Sequence, residues 1–173
     1  MNVAKGVLRY LKGTSDYGLQ FKKSSGNAQI QGYCDSDWTS SYSDRKSISA
    51  YVFWLDRYSS FISWKSKQQN IVALSSCEAE YIALSYCVQE AMFLQKLLST
   101  FYHEDCRILT ARIGVDNQGS IALAKNPMHQ QRFKHIDVRY HFLRNAVSNK
   151  VVDLCCEPLK ENFADVLTKP VSH

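Results

Sequence analysis

Residues 61–98 read FISWKSKQQNIVALSSCEAEYIALSYCVQEAMFLQKLL, and their pattern changes period part-way along. FISWKSK has the β-branched and aromatic content of a strand. From Cys77 to Leu98 the run is rich in Ala, Leu, Glu and Gln, which is the composition of a long helix. Ser75 or Ser76 suits its N-cap. Glu78 or Glu80 falls in the first turn, where a carboxylate meets the positive end of the helix dipole. A chain that switches from strands to such a helix needs both layers in one core.

Working outward toward the N-terminus, SAYVFWL (49–55) reads as a strand, joined to FISWKSK by the turn DRYSS. Gln29 to Tyr33 reads as another, followed by the polar loop TSSYSDRKS. Tyr17 to Phe21 reads as a further short strand, set apart by the turn-forming SSGN. Val3, Val7, Leu8 and Leu11 have helical spacing, with Gly13 as the stop. Toward the C-terminus come a strand (RILTARIGV, ending at Asp116), a short helix (QGSIALAKN) stopped by Pro127, and an amphipathic helix (HIDVRYHFLRNAV). A strand (VVDLCC) and a short helix (ENFADVLTK) follow. Three successive strands with short links suggest an antiparallel meander. The order as a whole predicts an α/β domain, a mixed sheet with helices on its faces.

A chain of 173 residues suits one domain with a proper core. The net charge of +5 permits an anionic partner without demanding one. No stretch approaches the roughly 18 uninterrupted apolar residues of a membrane span. Basic residues interrupt the N-terminal apolar ones, so no secretory signal is expected. None of the six cysteines forms a Cys-x-x-Cys pair, and Cys155 and Cys156 are adjacent, so reduced structural thiols are expected rather than a zinc ribbon. His135 and His141 joining a cysteine on zinc is the minor alternative.

Acidic residues fall at the ends of the expected elements. YCDSDW (33–38) carries Asp35 and Asp37, which share one side of an extended chain. Asp35 ends the first core strand, Glu80 opens the long helix, Asp116 ends the fourth strand, and Asp165 lies in the last helix. Each has an ordinary role when taken singly: a strand running into a polar turn, a helix-dipole partner, a cap, a solvated surface residue. Together, at element ends that can meet at one edge of a mixed sheet, they would repel one another unless cations neutralised them. Hard oxygen ligands of this kind suit magnesium or manganese rather than zinc.

Seven blocks, in order, resemble one family: LRYLKGTSDYGLQF, GYCDSDW, DRKSISAYVFWL, ISWKSKQQNIVALSSCEAEYIAL, DNQGSIALAKNP, KHIDVRYHFLR and FADVLTKP. That family is the ribonuclease H domain of copia-type LTR retrotransposon Pol polyproteins. The resemblance implies a ribonuclease-H-like fold, a five-stranded mixed sheet of three antiparallel strands and two parallel additions flanked by helices. It implies that residues 28–173 form this domain and that 1–27 are a remnant of the connection to a polymerase domain of the same polyprotein. The implied activity is endonucleolytic cleavage of the RNA strand of RNA–DNA hybrids during reverse transcription, in a cytoplasmic virus-like particle or the nucleus. Membranes and small-molecule cofactors play no part in it.

The catalytic positions implied are Asp35, Glu80, Asp116 and Asp165, holding two Mg2+ or Mn2+ ions about 4 Å apart. Asp35 and Asp165 would hold one ion, and Asp35, Glu80 and Asp116 the other. For hybrid binding the resemblance and the basic segments point to Arg45, Lys46, Lys65, Lys67, Asn117, Gln118, Arg132, Lys134, His135 and Arg139, which would contact phosphates without reading bases. The bland alternative is that these charges solvate a helix face. Departures from the family pattern are Ile48, Ala50, Cys77 and Val115, and the loop EPLKENFAD lacks a histidine, leaving water, or Glu157 or Glu161, as proton carrier. They keep open a competing reading, a catalytically weak or silent hybrid-binding remnant. An integrase-like core is disfavoured, because such cores carry their glutamate in a late helix.

Overall fold

A computed structural model of the chain describes residues 2–22, 29–41, 43–55, 60–101, 110–125 and 137–169. Its elements are α1 (Asn2–Gly13), β1 (Ile30–Asp37), β2 (Ile48–Leu55), β3 (Phe61–Gln68), α2 (Ser76–Phe101), β4 (Ala111–Val115), α3 (Gln118–Lys125), α4 (Asp137–Ser148) and β5 (Val152–Cys156). The strands form one sheet in the order β3-β2-β1-β4-β5. β1, β2 and β3 pair antiparallel, whereas β4 pairs parallel with both β1 and β5. The mixed α/β architecture expected from the element order is present.

α2 is the element around which the core forms. Its first half is buried almost all round, from Glu78 through Ser85, because it lies between the sheet and the helices α3 and α4. Tyr81, Leu84, Cys87 and Val88 meet Phe53 of β2, Cys34 of β1 and Leu143 of α4 in one apolar cluster. Burying side chains of this size stabilises the fold by about 1.5–3 kcal/mol each. Ser75 caps the helix by accepting from the Glu78 amide at 3.2 Å. Glu78 turns back to accept from the Leu74 amide at 2.8 Å. Cys77 therefore removes no cap, because Ser75 supplies it.

The opposite face of the sheet carries a smaller cluster of Ala50, Val52 and Ala164, with Tyr33, Trp54, Phe61 and Leu167 packed on it. Tyr33 lies flat across β4 at Gly114, where any Cβ would collide with its ring. Ala50 sits in regular register opposite Asp35 and is fully buried, so the extra methyl is absorbed without a bulge there.

Two expected elements differ. Tyr17–Phe21 is irregular rather than a strand, and Tyr17, Leu19 and Phe21 are exposed. Alternation alone cannot make a strand without an edge to pair with, and the edge strand β3 does not take this segment into the sheet. The closing segment forms two short 3-10 turns, Leu159–Glu161 and Asp165–Leu167, instead of a helix. Asn162 between them is tied to the sheet by its own side chain, donating to the Cys34 carbonyl at 2.9 Å. Among the described residues no helix is long and apolar enough to cross a membrane, and the five described cysteines are free.

Candidate active site

The parallel register of β1 and β4 builds the site. Tyr33 pairs with Gly114, so continuing that register by two residues sets Asp35 beside Asp116 at the same end of the sheet. The N-terminal part of α2 brings Glu80, one turn into the helix, to the same corner; the acid in the first turn itself is Glu78. One carboxylate oxygen from each of Asp35, Glu80 and Asp116 lies within 4.8 Å of the others.

Each carboxylate is held in a different way. Glu80 Oε1 accepts from the Ser36 amide at 3.1 Å and the Ser36 hydroxyl at 2.9 Å. Asp35 Oδ2 accepts from the Thr168 hydroxyl at 2.6 Å. Glu80 Oε2 and Asp116 Oδ1 are buried and have no hydrogen-bond partner among the described residues. Orphaned buried acceptors are costly and rare, and here two of them belong to neighbouring carboxylates. That is the arrangement a divalent cation would complete: hard anionic oxygens, converging, with open valences.

Electrostatics agree with the geometry. Burial, with the nearby Asp35 and Asp116 charges, pushes the Glu80 carboxyl up to about 8. Burial also raises Asp35, reinforced by Asp116 and Asp165 and opposed by the Thr168 hydrogen bond. Asp116 is raised chiefly by burial. Each shift expresses one fact, that three like charges share a desolvated corner.

Asp165 stands apart from the three. It opens the second 3-10 turn and pairs with Lys169, four residues on. Its charge reaches Asp35 and Asp116, but its oxygens are not among the converging trio. Asp37, at the end of β1, also stays outside it.

The expected hybrid-binding residues are dispersed. Lys65 and Lys67 are exposed on the edge strand β3. Arg45 is exposed with φ 57°, in the loop between β1 and β2, and Lys46 pairs with Asp44 at 3.8 Å. Asn117 caps α3, its Oδ1 accepting from the Ser120 amide at 3.1 Å, and Gln118 is exposed at the helix start. Arg139 reaches from α4 to α2, donating to Ser85 at 2.7 Å and Tyr86 at 3.1 Å, with its guanidinium over the Tyr86 ring. It therefore braces two helices. Arg132, Lys134 and His135 lie outside the described residues. Glu157 pairs with Arg112 at 3.4 Å. Ser36 and Thr168, which orient the trio, were not singled out in the sequence. Ser36 had a signal, standing between the two aspartates of YCDSDW, but Thr168 had none.

Comparison with known proteins places this corner in a lineage. Over 171 residues the chain is 36% identical to the retrovirus-related Pol polyprotein from transposon RE2 of Arabidopsis thaliana, covering 99% of this chain and 11% of that one. Over 168 residues it is 39% identical to the Pol polyprotein from transposon TNT 1-94 of Nicotiana tabacum, covering 96% of this chain and 12% of that one. The chain belongs to the retrovirus-related Pol polyprotein family of transposons, and its fold is ribonuclease-H-like. Its fold matches LC11-RNase H1, solved in complex with an RNA/DNA hybrid, at a TM-score of 0.57 and 14% identity, over 80% of this chain and 93% of that one. No family model matches the chain. The chain spans only 11–12% of the length of these curated relatives.

Proposed function

We propose that the protein is a metal-dependent endonuclease that cleaves the RNA strand of RNA–DNA hybrids during reverse transcription of a copia-type retrotransposon. The observation that carries the reading is the trio of converging carboxylates, Asp35 and Glu80 buried and Asp116 half-buried, with two unpartnered oxygens at one end of a ribonuclease H fold. Relatives that are Pol polyproteins, and a structural neighbour bound to a hybrid, support the substrate class. A polymerase domain of the same polyprotein is the proposed partner, and a cytoplasmic particle or the nucleus the proposed setting.

In this reading Asp35, Glu80 and Asp116 hold divalent Mg2+ or Mn2+, with Asp165 contributing at the open side. Such ions, when bound, lower the pKa of an attacking water and neutralise charge on the phosphate and leaving oxygen. The chain's own residues set the geometry. Ser36 fixes one Glu80 oxygen and leaves the other directed into the corner. Thr168 holds Asp35 against rotation. Lys169 holds Asp165 as a counter-charge until a cation competes for that carboxylate. Exposed Lys65 and Lys67 supply sequence-independent phosphate contacts, and a hybrid is recognised by shape and 2′-hydroxyls.

The Lys169–Asp165 pair favours a second reading, a hybrid-binding domain of weak activity, because it engages the fourth carboxylate. Incubating the protein with end-labelled RNA–DNA hybrid, with Mg2+ or Mn2+, decides between them. Nicking of the RNA strand that Asp35→Asn abolishes, with single-stranded RNA left intact, supports the nuclease. Hybrid binding without nicking supports the second reading.

A further inference from the structure

We propose that Gln69 is a positioning residue for Glu80, acting through the helix start and the strand that hold it. The inference rests on the reading of the carboxylate trio as a divalent-cation site. Gln69 follows β3 and is almost completely buried, at 1% exposure. Its side-chain amide donates to the Ser49 hydroxyl at 2.8 Å and to the Ala79 carbonyl at 2.9 Å. Its backbone amide donates to the Ser47 carbonyl at 2.8 Å.

Both side-chain acceptors lead to the catalytic corner. Ala79 immediately precedes Glu80 on α2. Ser49 is the cross-strand partner of Ser36, whose amide and hydroxyl hold Glu80 Oε1. The connections close a ring: Glu80 to Ser36, across the sheet to Ser49, through the Gln69 amide to Ala79, and along one peptide bond back to Glu80. A glutamate side chain has three rotatable bonds, so the direction of its second oxygen depends on where the helix start sits relative to β1. Gln69 sets that distance.

The amide is incompletely satisfied, because Gln69 Oε1 is buried without a partner. For stability alone, an apolar side chain of similar shape removes that orphaned oxygen but deprives the Ser49 hydroxyl and the Ala79 carbonyl of a donor, so gain and cost offset in part. What an apolar side chain cannot do is tie both acceptors at once. That separates a role in placing Glu80 from a role in filling the core.

The test is a double-mutant cycle on Mn2+ binding by the full 173-residue chain, read by the free-ion paramagnetic resonance signal and by calorimetry. Gln69→Met is expected to weaken Mn2+ binding by about 10-fold, the lower end of the loss seen for residues that orient metal ligands. In the Glu80→Gln background the same change is expected to cost nothing further. Equal losses in both backgrounds, or no loss in either, overturn the proposal while leaving the metal site standing. Should Gln69→Met fail to fold, Ser49→Ala removes one anchor and keeps the amide. Its smaller loss must likewise depend on Glu80, and independence overturns the inference. If the parent chain binds no Mn2+, the cation reading falls and this inference with it.

Discussion

Glu80 and Leu84 lie one turn apart on α2, at 5% and 0% exposure, and the two ends of that turn obey opposite rules. Leu84 belongs to the main apolar cluster, and the packing there stabilises the fold. Around Glu80 two further carboxylates gather, two oxygens lack partners, and burial raises its proton affinity well above that of a free glutamate. Burial is nearly the same, yet one end holds the molecule together and the other stores unfavourable energy that a proton or a bound cation would relieve. Proteins keep such a corner where chemistry requires it.

Changing each end in turn should separate the two. Asp35→Asn should lower hybrid cleavage by on the order of a thousandfold, since it removes the carboxylate that faces both Glu80 and Asp116. Circular dichroism should show its fold intact, and a variant that retains full cleavage would exclude Asp35 from the chemistry. At the other end, Leu84→Ala should destabilise the domain by about 2–5 kcal/mol in chemical denaturation. Its cleavage rate per folded molecule should stay near that of the parent.

Glu80→Gln should go the other way, stabilising the cation-free protein by about 1–2 kcal/mol near pH 8. The sign follows from the raised affinity. The folded state keeps the Glu80 proton to about pH 8, whereas the unfolded chain releases it near 4.3. Parent stability is therefore lost as pH rises between those values, and Gln removes the loss. Melting curves in EDTA should show the gap widening from pH 5 to pH 8, and saturating Mn2+ should close or reverse it. A gap independent of pH would mean that Glu80 is not the strained group.

The smallest expected effect concerns Asn117. As a helix cap, its change to Ala should cost about 1 kcal/mol of stability. Hybrid affinity, measured by fluorescence anisotropy, should not change; a fall in affinity at unchanged stability would restore the phosphate-contact role expected from the sequence.

Much of this was legible beforehand. The change of period between FISWKSK and CEAEYIAL marks the strand-to-helix switch, and Asp35, Glu80 and Asp116 stand near element ends, inside β1, one turn into α2 and just past β4, where a mixed sheet can gather them. Tyr17–Phe21 misled because alternation reports side-chain chemistry and says nothing about whether a sheet edge is available. Arg139 looked like a phosphate contact because a basic residue on an amphipathic helix has no visible partner until Ser85 and Tyr86 are brought beside it.

The sequence by itself determined the alternation of strands and helices, the apolar faces that bury α2, and which carboxylates fall at element ends. Those are local properties, set by propensity and period within a few residues. The tertiary structure alone decided that Asp35, Glu80 and Asp116 share one desolvated corner while Asp165 pairs with Lys169. It also decided that Ser36, Thr168 and Gln69 surround that corner. Apart from the Asp165–Lys169 pair, such contacts join residues 10 to 133 positions apart, and their distances depend on strand register and helix placement, which no local pattern encodes.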